Sequence, residues 1–277
     1  MRSKKTALVL LYFFSLIFLI HQFLPDIINI LKNINQKIHL VFIVFLLTLL
    51  SFWQQSNNYC IINKIEKNKH FAIFMIWVTS SLINYFLPFQ SGTIARSLLM
   101  RKIGIPIIES GKQSARFILS NFTNAVILLL IFSILHQNGI NIKDTKLLII
   151  FASTIILLFI IKEIKFKYNN LFSAYFGIFN QIVISSMAYY TAFIFILNQT
   201  SIQKSILLTC SSIISSLISI TPNGLGITEA FAIFTNEILA LDLTNIIPAL
   251  IFLRICHIIT AIPICIIFIV FYSKINS

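Results

Sequence analysis

The chain has 277 residues, of which 58% are hydrophobic and 10% charged. A soluble domain of this length carries roughly a quarter charged residues, which excludes a water-soluble globular fold and leaves a single integral membrane domain, residues 1–277. Lys and Arg total 21 against 8 Asp and Glu, a formal charge of +13, and the basic residues fall in short loops between apolar runs. That is the positive-inside pattern of a membrane protein and not a nucleic-acid footprint.

Runs of about 20 apolar residues cross the hydrocarbon core. The first, 6–24, follows Arg2, Lys4 and Lys5. No small-residue cleavage site follows it, so it is expected to be a retained span and not a signal peptide. After a polar loop with a short amphipathic piece, 38–60 forms a second span, and Lys64, Lys67 and Lys69 make a basic loop. The run 71–87 enters the membrane and breaks at Pro88, and 91–100 leaves as a half-helix. Arg96, Arg101, Lys102, Lys112 and Arg116 then make the most basic region, divided by Gly104 and Pro106. Full spans are expected at 117–136, 147–161 and 171–197, the last two separated by the basic loop Lys162, Lys165 and Lys167. Gly177 lies inside a long span and is expected to tolerate alanine. The run 205–220 enters, breaks at Pro222, and returns as 227–240; 247–272 is the last span.

The stretch 219–230 carries Pro222, Asn223, Gly224, Gly226 and Glu229 within apolar sequence. Irregular backbone at membrane depth survives only inside protein or beside a water-filled cavity. Pro88 and Gly92 repeat the spacing of Pro222 and Gly226, and paired breaks in two halves of a chain point to a transporter site. With the N-terminus inside, two re-entrant hairpins keep every basic loop on the cytoplasmic side. The expectation is an all-α polytopic membrane protein with about six full spans and two broken re-entrant helical hairpins. The two pseudo-repeats, 1–136 and 147–277, form an inverted-topology repeat with both termini cytoplasmic.

Glu229 opens a half-helix, where a carboxylate complements the helix dipole. Its candidate partner is Arg254, and His257 shares a helical face with Arg254. Two readings stand side by side: a structural Glu229–Arg254 pair that fixes the hairpin, and a polar pocket for an anionic headgroup. Arg96 is either an ordinary cytoplasmic charge or a phosphate contact, which its planar fork of donors suits. Thr221, Thr228, Asn84, Asn121 and Asn124 are uncharged candidates for the same pocket. The four cysteines and five histidines show no metal spacing, so neither a metal nor another cofactor is expected. With no clustered acid and base, catalytic residues are not expected either.

The run Thr221, Pro222, Asn223, Gly224, Leu225, Gly226, then Glu229 and later Arg254, resembles the TPGGLG-x-x-E … R signature of the lysylphosphatidylglycerol synthase/flippase transmembrane family. Asn84, Leu87, Pro88, Gly92 and Arg96 resemble that family's first motif, N-x-x-LP-x-x-x-GE-x-x-R. Thr93 stands where that motif has an acid, and Asn223 where the signature has glycine. Arg96, Thr221, Glu229, Arg254 and His257 are thus the candidate substrate-binding residues, and the resemblance implies movement of a lipid between leaflets. Multi-domain members follow this region with a soluble aminoacyl transferase, which is not expected here because the chain ends at Ser277. Short members are linked to glycolipid or polyprenyl-phosphate pathways. The expected function is therefore a translocator of an anionic or polyprenyl-phosphate-linked lipid in a bacterial plasma membrane. The alternative is a membrane subunit that anchors or regulates a glycosyltransferase or a lipid-modifying enzyme.

Overall fold

The structure, a computed structural model, describes residues 37–87, 90–137, 170–197, 202–216, 228, 230 and 246–275. All regular structure among them is helical: α1 (Ile38–Ile62), α2 (His70–Phe86), α3 (Ser91–Lys102), α4 (Ile107–Gln137), α5 (Asn170–Leu197), α6 (Ile202–Ser216) and α7 (Ile246–Ile275), with one 3-10 turn at Lys67–Lys69. Three stretches are long and apolar enough to cross a membrane: Ile38–Ile62, Phe176–Ile196 and Ile247–Val270. The outer faces of α1 and α7 expose Phe42, Leu46, Leu50, Ile262, Ile266 and Ile269. Apolar faces of this extent belong in lipid and not in water, so the chain is a membrane protein.

Helix ends follow from local chemistry. At the end of α1, Ile65 N–H reaches Cys60 O (2.9 Å) and Lys64 N–H reaches Ile61 O (3.2 Å), with Lys64 left-handed at φ 52°. This is the double bond of a Schellman cap, closed by a lysine where glycine is usual. The same cap ends α3: Ile105 N–H to Met100 O (3.0 Å) and Gly104 N–H to Arg101 O (3.1 Å), with Gly104 at φ 84°. Pro106 follows and α4 begins one residue later. Leu87 is extended (φ −120°, ψ 143°), as the residue before a proline must be, and this ends α2.

Helix α4 departs from the expected 117–136 span. It runs unbroken from Ile107, joining the basic segment to the apolar one. Ser110, Ser114, Phe117, Asn121, Ala125 and Leu128 are all buried, one continuous stripe at helical spacing, while Lys112 and Arg116 stay on the exposed side.

α1 and α5 pack antiparallel through polar contacts. Ser51 and Ser185 share a 3.0 Å bond, Asn58 Nδ2 donates to Gln181 Oε1 (3.3 Å), and Gln54 Nε2 donates to Gly177 O (3.3 Å). Lys37, at the start of α1, donates to Phe195 O (2.8 Å) at the carbonyl end of α5, where a cation meets the negative helix terminus. Gly177 lies against Asn58: an added Cβ would overlap Asn58 Oδ1, which already accepts from Gln54 (3.1 Å). The expectation that Gly177 tolerates alanine is therefore corrected, because the glycine sets how closely α5 approaches α1. α7 packs across α1, α2 and α5, with Phe252 stacked on Phe195 at 4.3 Å.

Candidate functional site

The first break makes a tight hairpin. Asn84 in α2 lies opposite Gly92 in α3, and Ser80 lies opposite Arg96, so the two helices run antiparallel. Asn84 Oδ1 accepts the Gly92 N–H at 2.6 Å, satisfying one of the orphan donors at the start of α3 from the neighbouring helix. An added Cβ at Gly92 would overlap the Ser80 carbonyl oxygen, so the glycine permits the contact. Gln90 caps α3 in a left-handed conformation, φ 52°.

This close approach carries Arg96 inward. Gly92, Arg96 and Met100 form the buried face of α3 at four-residue spacing. Arg96 is 6% exposed, so it is not a solvated loop charge. Its guanidinium lies 3.5 Å over the Trp77 ring, and Nε donates to Ser80 Oγ at 3.0 Å. Ser80 Oγ spends its own hydrogen on Trp77 O (2.8 Å), which leaves a lone pair for Arg96. Stacking and one hydrogen bond orient the guanidinium without neutralising it. The ion pairs among the described residues are Lys69–Glu66 and Arg116–Glu109, both at the surface.

Arg96 opens onto a cavity of about 310 Å³ to which all seven helices contribute. From α7 come Arg254 and His257, from α2 Asn84 and Tyr85, from α4 Asn121, and from α5 Gln181. Tyr85 and His257 share a 2.6 Å hydrogen bond that ties α2 to α7. Trp77 Nε1 donates to Gln55 Oε1 (3.0 Å), fixing a further lining amide from α1. Thr228 also lines the cavity; its hydroxyl accepts from Ser215 Oγ at 3.1 Å. No carboxylate lines the cavity among the described residues.

Of the sequence-derived candidates, the structure brings Arg96, Arg254, His257, Asn84, Asn121 and Thr228 to this one cavity. Gly92 lies at the hairpin that shapes it. Asn124 is not among the lining residues; its amide donates to Ser120 O (2.9 Å) of its own helix. Thr221, Glu229, Pro88, Pro222, Asn223, Gly224 and Gly226 lie outside the described residues. Gln55, Gln181 and Tyr85 are lining residues that the sequence did not single out. Polar side chains inside apolar runs are the one signal that marks them, and it does not separate cavity from packing.

Comparison of the chain with protein-family models, with curated proteins and with solved structures gives no match.

Proposed function

We propose that the protein moves a lipid with a phosphate-bearing headgroup between membrane leaflets, and that the cavity is where the headgroup rests during transfer. The observation that carries this reading is the burial of Arg96, 6% exposed, on the wall of that cavity with no ion pair of its own among the described residues. A guanidinium buried without a countercharge is costly, and a bound anion relieves that cost. Arginine forks match phosphate oxygens in pairs. The lipid is an anionic phospholipid or a polyprenyl-phosphate-linked lipid.

The reading includes about six spans with two re-entrant hairpins in an inverted repeat, both termini on the cytoplasmic face of a bacterial plasma membrane. The antiparallel α2–α3 pair and the return of Thr228 to Ser215 support two chain reversals beside one site. Broken helices from two repeats meeting at a central site are the usual transporter arrangement.

The test is reconstitution into vesicles containing headgroup-labelled phosphatidylglycerol, followed by addition of a membrane-impermeant quencher. The wild-type chain is expected to expose the inner-leaflet label to the quencher, and Arg96→Gln and Arg254→Gln to return exposure to the protein-free level. Wild-type vesicles indistinguishable from protein-free ones, across anionic and polyprenyl-phosphate lipids, would refute transport and leave a non-transporting subunit.

A further inference from the structure

Resting on the cavity as a headgroup site, we infer that it takes a phosphate that only accepts hydrogen bonds: one esterified directly to an apolar chain, with no hydroxyl or ammonium beside it. The orientation of the amides in the cavity wall carries this. An amide oxygen accepts and an amide nitrogen donates, so one partner of known polarity fixes the whole group. The Gly92 N–H can only donate, so the Asn84 atom 2.6 Å from it is Oδ1, and Nδ2 is the end left over. The Trp77 Nε1–H can only donate, so Gln55 meets it with Oε1 (3.0 Å), while Gln55 Nε2 donates to Ser51 Oγ (3.1 Å). Gln181 is fixed through a relay that starts at a main-chain carbonyl. Gly177 O accepts from Gln54 Nε2 (3.3 Å), and the same nitrogen donates to Asn58 Oδ1 (3.1 Å). Asn58 Nδ2 then donates to Gln181 Oε1 (3.3 Å), which leaves Gln181 Nε2. In these three lining amides a protein donor takes up the oxygen. Asn121, also in the wall, gives its Nδ2 to Phe117 O (3.0 Å), and its Oδ1 is sealed off.

Arg96 adds donors of the same polarity. Ser80 holds its Nε, and its Nη1 and Nη2 have no protein partner among the described residues. These two nitrogens, Asn84 Nδ2 and Gln181 Nε2 are not enclosed as Asn121 Oδ1 is, and all three residues line the cavity. The hydroxyls of Thr93 and Ser212 serve as donor or acceptor and favour neither kind of ligand. The oxygens of an ionised phosphate accept from such donors and bring no donor that needs a partner. A hydroxyl or ammonium beside the phosphate does bring donors, and these four amides supply no acceptor for them. A donor left unmade away from water is costly. The polarity of the wall is the same whatever Arg254 is paired with.

The chain has two tryptophans, and Trp77 both lines the cavity and stacks on Arg96. Trp53 is 47% exposed on the outer face of α1, so Trp53→Phe leaves Trp77 as sole reporter without touching the site. Purified Trp53→Phe protein in detergent would be titrated with n-propyl phosphate, glycerol 3-phosphate and phosphoethanolamine, which are alike in size and differ in the donors they carry. Propyl phosphate is expected to change Trp77 emission at concentrations at least about tenfold below the other two, the equivalent of about 1.4 kcal/mol. A merely apolar preference gives the same order, so the polarity of the wall is then reversed. Gln181→Glu and Asn84→Asp each keep the oxygen that Asn58 or Gly92 binds and put an oxygen in place of the remaining nitrogen. In either variant the ratio should fall to about threefold or less, because the new oxygen accepts from the hydroxyl or ammonium. A tenfold ratio that survives in both would overturn the inference. Equal responses in the Trp53→Phe protein would overturn it while leaving the headgroup site intact, and no response to any phosphate would overturn both. Phosphatidate in mixed micelles separates a lipid source from a free one: it should act at lower concentrations than propyl phosphate, and the reverse order would overturn the lipid source.

Discussion

Gly92→Ala isolates the approach of α3 to α2. Gly92 sits inside a regular helix, so alanine brings no backbone strain, only a methyl group. That methyl meets the carbonyl oxygen of Ser80 and lies 2.6 Å from Asn84 Cγ and Oδ1. The Ser80 carbonyl is main chain and cannot rotate away. Restoring ordinary contact requires α2 and α3 to part by on the order of 1 Å or more. The Arg96–Ser80 bond, 3.0 Å now, then stretches to roughly 4 Å and is lost. Overpacking costs about 1–3 kcal/mol, and losing a hydrogen bond from a charged donor about 1.5–3 kcal/mol. The two share one movement and are not additive, so a loss of roughly 2–4 kcal/mol is expected. In a chain of this size that lowers the melting temperature by roughly 5–15 °C. The assay is thermal unfolding in detergent. A variant with wild-type melting would refute the close-packed hairpin.

Gly177→Ala should lower the melting temperature as well, because the methyl displaces Asn58 from its bonds to Gln54 and Gln181. Gly111→Ala should do the opposite: nothing lies within 4 Å of its new methyl, and alanine gains about 0.5–1 kcal/mol over glycine inside a helix, visible as a small rise in melting temperature. Lys112→Cys, on the exposed side of α4, should react with an impermeant thiol reagent only from the cytoplasmic side; labelling from outside would break the proposed topology. Glu229→Gln and Arg254→Gln, made singly and together, separate a structural pair from a ligand site. A structural pair predicts that each single change lowers protein abundance, by about 3–5 kcal/mol of stability, and that the double change restores it. A ligand site predicts that Arg254→Gln keeps its abundance, loses transport, and does not regain it in the double variant.

Helix positions were legible because length and punctuation are local. The run 38–60 became Ile38–Ile62, 71–87 became His70–Phe86, and 91–100 became Ser91–Lys102. Pro88 forces an extended Leu87, and Gly104 supplies the left-handed residue of a cap, so both ends are written within a few residues. The joining of the basic segment to α4 was not legible from average hydropathy. Lys112 and Arg116 depress the mean of a segment whose opposite face stays buried, and only the helical spacing of Ser114, Phe117 and Asn121 reveals the continuity. The spans expected at 6–24 and 147–161 lie outside the described residues.

The site was legible in its charges and not in its amides. A lone arginine near a loop is ambiguous, since loop charge and ligand look alike in sequence. The structure removes the loop-charge reading through Gly92, four residues earlier on the same helical face. A glycine that lets two helices touch also draws the next residue on that face into the interior, and that residue is Arg96. Once inside, Arg96 is held by Trp77 and Ser80, neither of which carries a countercharge. Thr93, uncharged and three residues before Arg96, lines the same cavity. A carboxylate paired with Arg254 would still leave Arg96 without an ion pair among the described residues. The burial of Arg96 is therefore the stronger of the two arguments for a ligand, and it holds whichever way the Glu229–Arg254 cycle resolves.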